Sequence, residues 1–219
     1  MDKILTFDCY GTLIDTKPIY DAIADIAKKN ELDSKDALNI YVSYEDRLMY
    51  GESYIPYDKL IKQVLEYCDM ELNSDVFSKS YDEIISVHKT LKPFKEVVET
   101  LKIIHKKGYR LALMSNSVHD IMDYHLDALG NVFDYVFLAE DICAYKPNLE
   151  FFKYVEEKLK LKEKEHCHIA KGYWWDIVPC SKLGWRKIWV NRNYKKGNKL
   201  HEPYQEVHTL DEVLDLQLD

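Results

Sequence analysis

The segment Lys3-Ile4-Leu5-Thr6-Phe7-Asp8-Cys9-Tyr10-Gly11-Thr12-Leu13-Ile14-Asp15 decides the fold. A short apolar run ends on a carboxylate, and a glycine and a threonine follow. That is the pattern of a buried strand giving way to a tight loop. An aspartate at the tip of such a strand sits at the mouth of a sheet, where Thr12 can aim its hydroxyl back at it. Oriented and partly desolvated, a carboxylate there can act as a nucleophile. From this fragment alone, a strand-ending aspartate that merely caps its loop reads equally well.

Working outward, residues from about Thr16 to His88 are helical in pattern. Ile19, Ile23 and Ile26 recur at helical spacing, as do Tyr41, Tyr44 and Leu48, and Leu60, Val64 and Tyr67. Beyond them Pro93 is placed to open a helix closed by Gly108. Strand-like runs at Arg110–Ser115, Tyr135–Leu138, His166–Ala170 and Lys187–Val190 then alternate with helical runs at His119–Leu129, Leu149–Leu161 and Trp174–Leu183. A last periodic piece covers Leu210–Leu216. Alternation of this kind requires right-handed crossovers and a mostly parallel sheet. The expected fold class is α/β, a Rossmann-like, doubly wound core (residues 1–15 and 89–219) with an inserted helical cap domain (residues 16–88).

Ligands of such sheets lie beyond the carboxyl ends of the strands, and four polar groups fall there. Asp8 and Thr12 follow the first strand. Ser115-Asn116-Ser117 follows Leu111–Met114, with small donors suited to an anionic oxygen. Lys146-Pro147 lies in a loop, where a fixed cation could keep Asp8 ionised. Asp176 falls in the first turn of the helix after Ala170 and could meet Lys146 or only complement the helix dipole. Beside it, Lys171 stands at a strand end and Trp175 is a candidate substrate wall. Tyr41 and Tyr44 read more readily as core, and the Lys160–Lys164 and Lys195-Lys196 runs as solvated faces.

Composition narrows the classes. The chain has 219 residues, 47% of them hydrophobic and 31% charged, with only 7 Gly and 6 Pro, which excludes a low-complexity or disordered chain. At roughly 150 residues per domain, one domain with an insertion fits. Lys and Arg number 30 against 38 Asp and Glu, a net charge of −8, so phosphate-neutralising nucleic-acid binding is disfavoured. No apolar run reaches the roughly 18–20 residues that cross a bilayer. No signal peptide is evident at Met1-Asp2-Lys3. The five cysteines Cys9, Cys68, Cys143, Cys167 and Cys180 form no CxxC pair, so free thiols and a cytoplasmic location are expected. Cys167 and His168 alone lack partners for a zinc site. The expected partner is a small anionic substrate, with no nucleic acid and no membrane, and a homodimer is compatible.

In order and context, these groups resemble the haloacid dehalogenase superfamily, and within it the type II 2-haloacid dehalogenase-like branch. Phe7–Asp15 (FDCYGTLID) matches that branch's first motif nearly letter for letter. Ser115–Ser117, Ala144–Pro147 and Trp174–Ile177 followed by Trp189–Arg192 occupy the places of the others. The resemblance implies a metal-independent hydrolase without cofactors. Asp8 would attack carbon to form an aspartyl ester, with Thr12, Lys146 and Asp176 catalytic. Ser115 and Asn116 are candidates for the substrate-carboxylate pocket this attack requires, and the residues themselves add Tyr10, Lys171 and Trp175 as substrate-binding candidates, with the Lys171 ammonium expected within reach of Asp8 and Asp176.

Departures from the pattern are equally legible. The phosphatases of the superfamily carry a second aspartate where Tyr10 stands and a Mg²⁺-holding carboxylate where Lys171 stands. The 2-haloacid dehalogenases carry an Arg-Gln pair where an ungapped count finds Asn39 and Ile40, and a Tyr where Phe152 stands. Arg47 is the only arginine of the cap. Two alternatives stay open: a phosphatase holding Mg²⁺ with Asp8, the Tyr10 carbonyl and Asp176, and a binding protein that keeps the fold without turnover.

Overall fold

β1 (Lys3–Asp8) runs through the middle of the sheet, and its last four residues are buried, the apolar Leu5 and Phe7 alternating with the polar Thr6 and Asp8. The structure, a computed structural model, describes residues 3–51, 53–161, 166–216 and 218. Most of the Lys160–Lys164 run lies outside the described residues. β1 pairs in parallel with β2 (Tyr109–Ser115) on one side, and β2 with β3 (Tyr135–Leu138). On the other side it pairs with β4 (His166–Ala170), which continues to β5 (Lys187–Val190) and β6 (Gln205–Val207). The order β3-β2-β1-β4-β5-β6 reverses direction at β1, which makes the carboxyl ends of β1 and β4 the crevice of the sheet. Asp8 is the last residue of β1, opposite Met114, and Ala170 the last of β4.

Between β1 and β2 the chain forms α1 (Lys17–Lys29), α2 (Ser34–Gly51), α3 (Tyr57–Leu72), the single turn α4 (Val76–Lys79), α5 (Tyr81–Thr90) and then α6 (Val97–Lys106). α1 to α5 bury the periodic residues the sequence marks, among them Ile23, Leu60, Ile61, Val64 and Phe77. Full burial contributes roughly 1.5–3 kcal/mol for each such side chain, and these residues join one core cluster with those of the sheet. The remaining helices are α7 (His119–Ala128), the short α8 (Ala139–Ile142), α9 (Leu149–Leu159) and α10 (Val178–Leu183). Phe151, Phe152 and Val155 of α9 and Ile121 and Met122 of α7 are buried in the common core.

Three expectations need correction. The helix expected to open at Pro93 begins at Val97. Pro93 instead bridges Ile14, while Phe94 N donates to Leu13 O at 3.0 Å and Asp15 N to Lys92 O at 2.9 Å. The chain leaving the core and the chain returning to it thus use each other's backbone groups, which a helix there would have kept for itself. The continuous helix expected over Trp174–Leu183 is a π-type turn at Tyr173–Ile177 followed by α10. The piece expected at Leu210–Leu216 is a 3-10 turn over Asp211–Asp215. All five cysteines are free, four buried and Cys143 exposed. Among the described residues, no helix is long and apolar enough to cross a membrane.

Candidate active site

Lys146 organises the site. It lies in the loop between α8 and α9, and its side chain runs inward until only 2% of it is exposed. There Nζ donates to Asp8 Oδ1 at 2.8 Å, to Asp176 Oδ1 at 2.7 Å and to the Met114 carbonyl at 2.9 Å. The three donors of one ammonium are spent on β1, β2 and the π-type turn together. Burial would depress the Lys146 ammonium, but the Asp176 and Asp8 carboxylates hold it above its ordinary value. Asn116 fixes the loop: its amide donates to Lys146 O at 3.0 Å and its carbonyl accepts from Lys146 N at 2.7 Å.

Asp8 is 7% exposed. Its second oxygen accepts from the Thr12 hydroxyl at 2.5 Å, and that hydroxyl in turn accepts from Lys171 N at 2.8 Å. Gly11, with φ +74°, makes the turn that brings Thr12 back beneath the strand. Burial pushes the Asp8 carboxyl up, against the opposing pull of Lys146 and the Thr12 bond, so its charge is poorly solvated. Asp176 differs. Burial acts on it too, but Lys146 and His168 together hold it below the usual carboxylate range. His168 Nε2 lies 3.1 Å from Asp176 Oδ1, and Nδ1 lies 2.8 Å from the Thr6 hydroxyl. With that hydroxyl donating to Nδ1, Nε2 carries the proton toward the carboxylate. Asp176 Oδ2 lies against Gly172, where any Cβ would overlap it.

Above these groups opens a cavity of about 400 Å³. Asp8, Tyr10, Asn116, Lys146, Lys171, Gly172, Trp175 and Asp176 line its floor, with Lys195 beside them. α1 and α2 line the opposite wall with Ile19, Tyr20, Tyr41, Val42, Glu45, Asp46 and Met49, and Tyr57 of α3 joins them. Residues 41, 42, 45, 46 and 49 form one stripe of α2, as 3.6 residues per turn demands. Arg47 lies off this stripe, over the Tyr44 ring.

Eight of the nine site residues singled out in the sequence therefore converge, all but Thr12 as cavity lining and Thr12 through Asp8. Ser115 is the exception. It is fully buried, its hydroxyl has no hydrogen-bond partner, and it does not line the cavity. In its place Ser117 takes a hydrogen bond with Tyr10 at 3.0 Å. The Asn116 side chain is committed to the Lys146 backbone rather than turned toward a ligand. Lys171 shares the cavity with Asp8 and Asp176, but no ion pair within 4 Å joins it to either among the described residues, against the expectation that its ammonium reaches them. Its side chain crosses Gly11, with Nζ 3.3 Å from where a Cβ would stand.

Sequence reasoning missed His168, Thr6 and the acidic stripe of α2. The first pair carried a signal. Thr6 and His168 stand opposite each other in adjacent buried strands, and a polar pair inside two apolar strands has to satisfy itself. The Glu45 side chain accepts from Tyr57 OH at 2.9 Å, a pairing between two helices that spacing alone does not reveal.

The family model described as haloacid dehalogenase-like hydrolase matches residues 3–183. Haloacetate dehalogenase H-2 of Moraxella sp. (strain B) is 26% identical over 203 residues, covering 88% of this chain and 88% of that protein. A glyceraldehyde 3-phosphate phosphatase of Methanothermobacter thermautotrophicus is 25% identical over 215 residues, covering 92% and 91%. A solved structure of a dehalogenase superposes with a TM-score of 0.85 at 21% identity, covering 100% of this chain and 98% of that one.

Proposed function

The chain belongs to the haloacid dehalogenase-like hydrolases, and on that premise we propose that it hydrolyses a small carboxylate-bearing compound through an ester on Asp8. The observation that carries this reading is the setting of Asp8. It is a poorly solvated carboxylate on the cavity floor, oriented by Lys146 and Thr12. One of its oxygens attacks the carbon that bears the leaving group, and that group departs with the bonding pair. Water then attacks the Asp8 carbonyl, which frees a hydroxy acid and restores the carboxylate. Asp176 is the other carboxylate of the floor. Its Oδ2, bonded to neither Lys146 nor His168, is the acceptor for the water's proton. Lys171, a cation with no partner carboxylate among the described residues, seats the carboxylate of the substrate. Residues 16–88 act as the cap that excludes water until the ester has formed.

The reading is metal-independent. Mg²⁺ takes hard oxygen ligands in octahedral array, and the donor set here does not suit it. The facing oxygens of Asp8 and Asp176 both accept from the Lys146 ammonium, with Lys171 lining the same floor. Tyr10, whose hydroxyl burial pushes up, stands where a second carboxylate would serve a phosphatase as acid. Among the described residues no three His, Cys, Asp or Glu side chains gather as a metal site.

Two measurements test the proposal. Chloride release from 2-chloropropionate should survive EDTA and vanish in Asp8→Asn. In ¹⁸O water, a single turnover should place the label in Asp8 before it reaches product. Mg²⁺-dependent release of phosphate from p-nitrophenyl phosphate, with no chloride release, would establish the phosphatase reading instead.

A further inference from the structure

The wall facing Asp8 is acidic. Glu45 and Asp46 project from α2 into the cavity, and among the described residues neither has an ion-pair partner. Glu45 is half-buried, and the one hydrogen bond to its carboxylate, from Tyr57, goes to Oε1. Burial pushes its carboxyl up to about 7. Beside it Tyr41, with no solvent exposure, lines the same cavity, and its hydroxyl has no hydrogen-bond partner. A buried hydroxyl left unpaired is costly and rare in a finished structure. A half-buried carboxylate with no cation beside it is also destabilising, and among the described residues Glu45 has none. Both residues line the same cavity as Asp8 and Lys171.

We propose that the substrate carries an ammonium group, held by Glu45 with the Tyr41 hydroxyl as a further acceptor, while its carboxylate lies toward Lys171. The class is a small ω-amino acid with a leaving group on the carbon next to the carboxylate. The inference deepens the reading of the Asp8 ester and rests on it only for the leaving group. One ammonium supplies the missing donors: its N–H bonds reach Glu45 and Tyr41, and its charge offsets that of Glu45 and Asp46. A plain haloalkanoate leaves Glu45 and Tyr41 without that partner. The cap therefore selects by what it leaves unpaired, the strongest discrimination a polar pocket offers.

Binding of 5-aminopentanoate and of pentanoate, which carry no leaving group, to the wild-type protein by calorimetry separates this inference from the catalytic one. The amine should bind at least tenfold tighter. Glu45→Gln keeps the shape of the side chain and a partner for Tyr57, and should erase that preference. Asp46→Asn, at an exposed position, should weaken the amine by a few-fold without loss of fold. Equal affinity for the two ligands, no binding of the amine, or a preference unchanged in Glu45→Gln would each overturn the assignment. Chloride release from 5-amino-2-chloropentanoate is scored separately. Amine selectivity without chloride release would refute the ester reading and leave the ammonium seat standing.

Discussion

Replacing Lys146 with methionine removes one ammonium that three acceptors share at 2.7–2.9 Å. Methionine keeps the length of the apolar stem, so lost packing is a small part of the outcome. What remains is two carboxylates, 10% and 1% exposed, whose nearest oxygens both faced the vacated nitrogen. Like charges about 5 Å apart at an effective dielectric of about 20 repel by roughly 3 kcal/mol. Loss of one member of a buried ionic group costs about 3–5 kcal/mol by precedent. The two figures agree, and a destabilisation of about 3–4 kcal/mol is expected at pH 8. The sign of its pH dependence follows. Without Lys146 the carboxyl pair of the folded variant titrates above its unfolded value, so the folded state binds the extra proton. The stabilisation from that proton is present in acid and lost as pH rises through the raised value. Urea unfolding of both proteins, followed by tryptophan fluorescence at pH 5 and pH 8 with matched m-values, measures the deficit. It should shrink toward pH 5, and Asp176→Asn in the same chain should recover about half of it at pH 8 by relieving the repulsion. A deficit below about 1 kcal/mol that is the same at both pH values would refute this account of the buried cluster.

Gly172→Ala places a Cβ on Asp176 Oδ2. Displacement of that carboxylate should lower kcat by at least a hundredfold while circular dichroism stays native, and near-wild-type turnover would show that Asp176 takes no part. Lys171→Met should raise KM about tenfold and leave kcat within a factor of three, as the proposed binding role requires. His88 is fully buried, with both ring nitrogens lacking a partner, and burial takes it down to about 3. The unfolded chain therefore binds a proton below its ordinary value near 6.5 that the folded chain refuses, and stability should fall with falling pH by at most about 1.4 kcal/mol per unit. His88→Leu should flatten that slope between pH 6 and pH 4 in denaturation experiments.

The parts of the fold legible in the sequence are those decided by burial alone. β1, β4 and β5 are short buried runs, mostly apolar and closed by a polar residue or a turn, and they lie where those runs lie. β6 was not legible because Gln205 and Glu206 are exposed on an edge strand, where no apolar pattern is needed. The Pro93 helix failed because tertiary hydrogen bonds to Leu13 and Asp15 outweighed a local preference. At the site, Asp8, Thr12, Lys146 and Asp176 were legible through their places at loop and strand ends. The direction of the Ser115 side chain, and the Thr6–His168 pair behind Asp176, depended on strand register across the sheet. The α2 wall depended on which face of a helix turns inward, and an acidic stripe on an amphipathic helix looks like solvent surface until something is placed above it.

The backbone bonds between the outgoing and returning chain, Asp15 N to Lys92 O and Phe94 N to Leu13 O, carry a consequence for how such a protein diversifies. The helical excursion leaves and rejoins the sheet at one point, already clasped. Its ends need no further ordering for the sheet to close around them. A different excursion of another length could be spliced between the same two points, and Asp8 beneath it would keep the Lys146 ammonium and the Thr12 hydroxyl. On the proposed reading, the chemistry is inherited with the sheet, while the choice of molecule is a detachable part, open to exchange by recombination or by design.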